Sequence, residues 1–471
     1  MIDPLLEALR YLPFPRSFSI GGSLLTVSIR DQMLRGRLFV ERALRNGLLQ
    51  RSAEPFLVVG AGAGGANAAI FAASQQIPTH LIDNNNAPFS TQHGSARWIH
   101  PMLYDFPADH CDTKQYPLRR TVPPCELSWS ANTANVVANE WLRQLGDAII
   151  DYPHLKFEPH TRPIAQPQFD SAGKLFLRVK TEPPFSHVQP ESEIYFQQVL
   201  FALGPGPERT YLRPKNGPPH KTRGYSFWKD DPFGSLDFGF LGTGAPQILI
   251  SGSGDGAIQD FLRIATTCQT TEDAYRLAPL PDALRQMLLS AQDRAMRHLQ
   301  LGTESKHDHD ALTELHRIHK GVADEVLRQG GQNLKNKLRA ALRKPLPQLQ
   351  FFIECTHFSN CYSLNRYLAL LFGALIEQET SQPVFLYGRR IIDIQSIQTH
   401  HVCADDADDC HGKMHRVTWA PMPDCRGAPN TSTMNFVDAN ILILRHGIDT
   451  AALKMNVTPS TPRLLLPYYL E

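Results

Sequence analysis

Two segments of this chain repeat one plan, and that repetition restricts the folds open to it more than any other feature. The first copy reads Phe56-Leu-Val-Val-Gly-Ala-Gly-Ala-Gly-Gly65, an apolar strand that runs into Gly60, Gly62 and Gly65 at G-x-G-x-x-G spacing and then into an Ala-rich helical stretch through Ala73. Gly60 permits the tight turn, Gly62 lets the backbone approach a pyrophosphate, and Gly65 lets the helix pack close to the strand. The N-terminus of that helix then points unpaired N–H groups at the anion. A second apolar strand, His80-Leu81-Ile82, ends in Asp83. It lies about twenty residues beyond the first glycine, where a carboxylate accepts hydrogen bonds from a ribose.

Further on, Leu155 to Pro163, Lys174 to Lys180 and Glu193 to Gly204 alternate as strands do, and the last closes as Val199-Leu-Phe-Ala-Leu-Gly-Pro-Gly206. This predicts a β-meander that returns to a parallel sheet and stops at Gly204. The plan restarts at Gln247-Ile-Leu-Ile-Ser-Gly-Ser-Gly-Asp-Gly-Ala257, with Gly252, Gly254 and Ala257 at the three turn positions and Ile258 to Ala265 as the following helix. A later strand, Leu349 to Ile353, ends at Glu354, and Pro383 to Ile394, His415 to Ala420 and Val437 to Gly447 repeat the meander. An ordered set of features that occurs twice is harder to produce by chance than one glycine motif. The expectation is an α/β protein of two Rossmann-like domains, each a parallel sheet with a β-meander, over residues 51–223 and 238–449. Residues 1–50 form a cover-helix segment, 272–344 a helical insertion in the second domain, and 450–471 a tail.

Over most of residues 50 to 210 the chain resembles the FAD domain of the two-dinucleotide-binding flavoprotein superfamily, in which a strand ending in a small residue and glycine holds the place of Gly204. The resemblance implies FAD in the first half, on Gly60, Gly62, Gly65 and Asp83, and NAD or NADP in the second, on Gly252, Gly254, Ala257 and Glu354. Hydride would pass from nicotinamide through flavin to a small-molecule acceptor or oxygen, with protein groups supplying orientation and exclusion of water. Glu354 at a strand end favours a free ribose hydroxyl, hence NAD. Two departures stand against this pattern. Asp255 sits inside the second glycine turn, where its charge would repel a pyrophosphate unless it faces outward, and no Gly-Asp pair of the kind these flavoproteins use near the flavin ribityl chain follows the nucleotide repeat. A degenerate second site, a different adenosyl ligand such as S-adenosylmethionine, or a nucleotide-binding regulatory or partner-binding protein are the alternatives these departures open. The absence of any C-x-x-C pair sets the chain apart from disulfide reductases and leaves monooxygenases and dehydrogenases.

Downstream of Asp83 runs Gly94-Ser-Ala-Arg97-Trp98-Ile-His100-Pro-Met-Leu-Tyr104-Asp105. In flavoproteins this region passes beside the isoalloxazine. Arg97 would stabilise negative charge on a reduced flavin or substrate anion, His100 would exchange a proton, and Tyr104 or Trp98 would stack. An ordinary loop with Pro-fixed turns and a satisfied core arginine explains the same residues.

Lys+Arg 47 against Asp+Glu 46 leaves a formal charge of +1, too little field to hold a polyanion, so nucleic-acid binding is disfavoured. No apolar run reaches the ~20 residues of a spanning helix, and the opening Met1-Ile2-Asp3-Pro4 does not read as a secretory signal, which together predict a cytoplasmic chain. Eight cysteines without a C-x-x-C pair read as reduced thiols, Cys355 and Cys361 among them as buried and inert. The segment from His400 to His415, rich in Cys, His and Asp, reads as a solvated loop, and His307, His309, His316 and His319 as a wet helix face. No metal is assigned. The helical insertion is a candidate surface for a protein partner or oligomer contact, and equally a packing extension.

Overall fold

Near-continuous burial along each central strand dictates a sheet covered on both faces, and the computed structural model has two of them. It describes residues 3–11, 14–21, 28–100, 106, 126–182, 190–204, 206, 208–212, 224–229, 245–301, 306–359, 361–397, 414–423 and 429–447. In the first half the strands are β1 (Ser17–Ser19), β2 (Phe56–Val59), β3 (Thr79–Ile82), β4 (Trp98–Ile99), β5 (Asn132–Thr133), β6 (Leu155–Glu158), β7 (Thr161–Pro163), β8 (Gln168–Phe169), β9 (Leu175–Thr181), β10 (Glu191–Tyr195) and β11 (Gln198–Phe201). The parallel sheet runs β1-β11-β2-β3-β6. Successive side chains point to opposite faces. Phe56 and Val58 therefore enter the helix-side core, while Leu57 and Val59 meet Leu177, Val179 and Ile194 of the antiparallel β10-β9-β7 meander.

The helices of this half are α1 (Pro4–Leu9), α2 (Ile29–Arg45), α3 (Ala63–Ser74) and α4 (Ala134–Asp151). Helix α3 is short of bulk on every side, and Ala66, Ala68, Ala69, Ala72 and Ala73 are wholly buried. Small residues let α2 cross it at close range. A Cβ on Gly36 would lie 2.5 Å from the Gly64 carbonyl oxygen, a separation real side chains do not reach. The N-terminal segment is more than a cover helix, because β1 joins the sheet beside β11 with Phe18 opposite Leu200.

The second half repeats the construction with β12 (Gln247–Gly252), β13 (Gln348–Ile353), β14 (Phe385–Tyr387), β15 (Arg389–Ile397), β16 (Met414–Pro421), β17 (Asn435–Ala439) and β18 (Ile441–Arg445). Its parallel sheet runs β14-β13-β12-β18, and β15-β16-β17 is its meander. The order third, second, first, last strand is that of β6-β3-β2-β11. Ile248 and Ile250 face the helices, whereas Leu249 faces Val417 and Leu442 on the meander side. Helices α5 (Asp255–Ala265) and α9 (Ser363–Thr380) take the places of α3 and α4.

Between them stand α6 (Thr271–Leu277), α7 (Asp282–Leu301) and α8 (Lys306–Ala340), the last broken at Gly331, where φ is 54°. Helix α8 packs along α9. This corrects the reading of its histidines as a wet face: His316 and His319 are buried, and His319 bonds through Nε2 to Ser363 Oγ at 2.6 Å. Burial, with Arg366 nearby, holds His319 down to about 3. Among the described residues no helix is long and apolar enough to cross a membrane.

Candidate functional site

Each sheet carries a glycine turn at the C-terminal end of its first strand, and the two turns share a backbone. Gly60 has φ +107°, and a Cβ there would sit 2.5 Å from the Ala202 carbonyl oxygen; Gly252 has φ +146°, and its Cβ would sit 2.4 Å from the Arg445 carbonyl oxygen. Ala202 lies two residues before Gly204 (φ +71°), and Arg445 two before Gly447 (φ +80°). The first glycine of each turn thus packs against the same position of its glycine-terminated last strand, and only a residue without a side chain fits.

The first turn is open. Gly65 packs so closely that a Cβ would fall 1.9 Å from the Gly60 carbonyl oxygen, but nothing described lies within 4 Å of a Cβ on Gly62. Gly62 begins α3 in extended backbone with no side-chain cap, so the first amides of α3 are available to an anion. Asp83 stands at the end of β3, nearly buried. Its Oδ2 accepts from Ala61 N at 2.5 Å and its Oδ1 from Asn85 N at 2.7 Å and Asn85 Nδ2 at 2.9 Å. An ionised carboxylate has about four acceptor positions, so the turn itself locks Asp83 in place and leaves one position for a hydroxyl. Gly60, Gly62, Gly65, Asp83 and Gly204 are therefore gathered at one sheet edge, and they fit the diphosphate and ribose of an adenine dinucleotide.

The second turn is closed. Ser359 N donates to Ser253 O at 2.9 Å, and a Cβ on Gly254 would meet Ser359 Oγ at 3.5 Å. A Cβ on Gly256 would meet the Phe227 ring at 3.4 Å and Arg445 Cδ at 3.5 Å. Asp255 faces neither a pyrophosphate nor solvent. Its Oδ1 accepts from Tyr362 N at 2.9 Å and Asn365 Nδ2 at 2.8 Å, closing the N-terminus of α9, and burial pushes its carboxyl up to about 6. Tyr362 Oη donates in turn to Asp31 Oδ2 on α2 at 2.7 Å, which ties the two halves together. Ala257 is wholly buried, and Glu354, just past β13, pairs with Arg390 at 3.3 Å. As it stands this turn does not fit a second dinucleotide.

Arg97 does not face the first turn. It reaches across to α5, where its Nη2 donates to Asp260 Oδ1 at 2.7 Å while its guanidinium lies 3.8 Å above the Phe227 ring. Arg445 Nε donates to the other oxygen of Asp260 at 2.8 Å and pairs with Glu208 at 3.1 Å. Burial alone would raise the Asp260 carboxyl, but Arg445 and Arg97 outweigh it and hold it below the usual range; burial lifts Glu208. His100 pairs with Glu272 of α6, and burial keeps its imidazole below its ordinary value. The structure thus places Arg97 and His100, read from sequence as flavin-side residues, in contacts that join the halves; Tyr104 lies outside the described residues. Arg97, Trp98 and His100 line a cavity of about 40 Å³ with Thr270, room for little more than water. A larger cavity, about 420 Å³, lies at the opposite end of β12 and β13, against Met414 and Asp438.

Asp260, Arg445, Glu208 and Phe227 were missed from sequence. Superimposing the two copies would have found Arg445, because it stands where the first copy has Ala202. The reading of Cys355 as an inert thiol is also corrected, since it is engaged in a disulfide bond. Cys361 is a free, buried thiol, and burial pushes it up to about 12.

No protein-family model and no curated protein matches this chain. Solved structures do. A thioredoxin reductase from Lactococcus lactis is 10% identical with a TM-score of 0.36, the match covering 84% of this chain and 78% of that one. A bacillithiol disulfide reductase from Staphylococcus aureus is 10% identical with a TM-score of 0.36, covering 86% and 80%. The FAD-bound cadaverine monooxygenase of desferrioxamine biosynthesis from Erwinia amylovora is 11% identical with a TM-score of 0.41, covering 84% and 78%. The exclusion of disulfide reductases drawn from the missing C-x-x-C pair is overturned, because two of these three structures are disulfide-reducing enzymes.

Proposed function

We propose that this protein is an FAD-dependent oxidoreductase whose first half holds the flavin nucleotide and whose acceptor is a small molecule or oxygen, with NAD(P)H as the source of hydride, reaching the flavin without a seat on the closed second turn. The observation that carries this reading is the open first turn: Gly62 half-buried but uncrowded over the start of α3, with Asp83 held beside it. The flavin would supply the redox chemistry. Gly60, Gly62 and Gly65 admit the diphosphate against the α3 amides, and Asp83 orients the attached ribose through its remaining acceptor position.

Recombinant protein tests the reading directly. It should copurify yellow and bleach anaerobically with NADH or NADPH, and Gly62→Val should emerge colourless yet folded, because a side chain there blocks backbone approach to the diphosphate. A Gly62→Val protein that keeps flavin sinks the assignment. A second reading, a nucleotide-binding regulator with a degenerate redox site, is favoured by the closed second turn. It expects nucleotide-dependent shifts in melting temperature without bleaching by either nicotinamide nucleotide.

A further inference from the structure

The loop after β13 and the start of α8 bring three metal-binding side chains together outside both glycine turns. One nitrogen each of His309 and His357 and the sulfur of Cys355 all lie within 4.8 Å of one another. His309 Nδ1 and His357 Nε2 point at each other across 2.9 Å. Two imidazole nitrogens bound to one tetrahedral zinc ion stand about 3.3 Å apart, with metal–nitrogen bonds of about 2.0 Å and a metal–sulfur bond of about 2.3 Å. The pair is therefore within a few tenths of an ångström of a chelating geometry.

His357 is also prepared in the way metal-binding histidines are. Its Nδ1 donates to the Phe358 carbonyl at 2.7 Å, which places the proton there and leaves the Nε2 lone pair facing His309. The side chain is buried, so the ring is fixed by packing as well. His309 sits on the first turns of α8, half-buried; on taking up a metal it moves its own proton to Nε2 and presents Nδ1.

Electrostatics decide when such a site could work. Arg366 is buried close by, donating to the Phe358 carbonyl at 3.3 Å and the Ser359 carbonyl at 2.7 Å. Two imidazoles beside a guanidinium make a poor host for a divalent cation. A thiolate reverses that balance, and Cys355 is held in a disulfide.

We propose that His309, Cys355 and His357 form a redox-gated site for a zinc-class divalent ion, closed while Cys355 is oxidised and opened by a dithiol reductant. The dithiol passes two electrons and two protons to the disulfide, leaving two thiols on this chain and a disulfide on the reductant. Cys355 then releases its proton on binding the metal. Three protein ligands leave one position for water. The inference is independent of flavin binding.

The full chain, reduced with dithiothreitol and freed of it by anaerobic gel filtration, is titrated with cobalt(II) beside an untreated sample. A thiolate-to-cobalt charge-transfer band with the visible bands of a tetrahedral ion should appear only after reduction and be bleached by equimolar zinc. Cys355→Ser and His309→Ala should lose the band, and Cys268→Ser should keep it. The proposal is overturned by a reduced protein without the band, by an equal band in the oxidised protein, or by a band that survives in either ligand variant. Should Cys355→Ser fail to fold, His309→Ala decides alone, since that side chain lies half-buried near the start of its helix; its melting temperature confirms the fold.

Discussion

The two glycine turns have one backbone and opposite surroundings. A Cβ on Gly62 would meet nothing described within 4 Å, whereas one on Gly254 would meet Ser359 Oγ at 3.5 Å; two residues on, Gly64 packs on Gln32 and Ile20 of its own half, while Gly256 faces Phe227 and the Arg445 side chain. The difference begins with a single register position, Ala202 in one copy and Arg445 in the other. Alanine ends at its Cβ. Arginine runs on over the turn to Asp260 and Glu208, and the space a nucleotide would need becomes an ionic joint between the halves. A glycine motif therefore secures the bend of the chain, and the residues that line the bend decide whether a ligand can enter.

The largest blow to this contrast is Asp260→Ala. It leaves Arg97 and Arg445 buried without their shared carboxylate and should cost about 3–5 kcal/mol, read as a lower denaturant midpoint. An unchanged midpoint would mean that the closed turn is held by something other than its charges.

Acid comes next, because the second half carries His446 half-buried and His319 buried, both held neutral. Burial, with Arg209 and Arg390 nearby, holds His446 to about 4, and burial with Arg366 holds His319 to about 3. Both fall below the unfolded value of about 6.5, so the unfolded chain binds more protons below that pH and stability is lost as pH falls. At about 1.36 kcal/mol per pKa unit, His446 by itself accounts for roughly 3 kcal/mol. Hydrogen exchange followed by mass spectrometry between pH 6.5 and 4 should show β12–β18 losing protection before β2, β3 and β11.

Paired valine substitutions sharpen the comparison further. Gly254→Val should lower stability by about 1–3 kcal/mol through overpacking against Ser359, while Gly62→Val should stay within about 0.5 kcal/mol and lose only ligand. Equal losses in the two variants would erase the distinction between open and closed turns.

The smallest effect belongs to Asp255→Asn. Asp255 is raised to about 6 from its ordinary 3.8, so its contribution to stability declines as pH rises between those values. Asparagine keeps an acceptor for Tyr362 N and Asn365 without the buried charge, so near pH 4 the variant should match the parent within about 1 kcal/mol and lose that part of the pH slope.

Much of the fold was legible because parallel sheets announce themselves in short apolar runs ended by glycine or a carboxylate. Gly60, Gly65, Asp83 and Gly204 could be placed from spacing, since each answers a backbone demand or a local turn. Arg97 and His100 could not. Their polar, aromatic neighbourhood read as a cofactor wall, but their partners, Asp260 and Glu272, lie more than 160 residues away in the other half. The same holds for His316 and His319, whose surrounding lysines and arginines read as wet until α9 packed against them.

The amino-acid order alone determined that this chain makes the same strand, turn and helix twice, because hydrophobic period and glycine position act within a few residues. Only the tertiary structure decided which turn stays open, where Asp255 points, and that Cys355 lies beside two histidines. Those outcomes depend on which distant side chains arrive to fill or charge the space, and no local pattern carries that information.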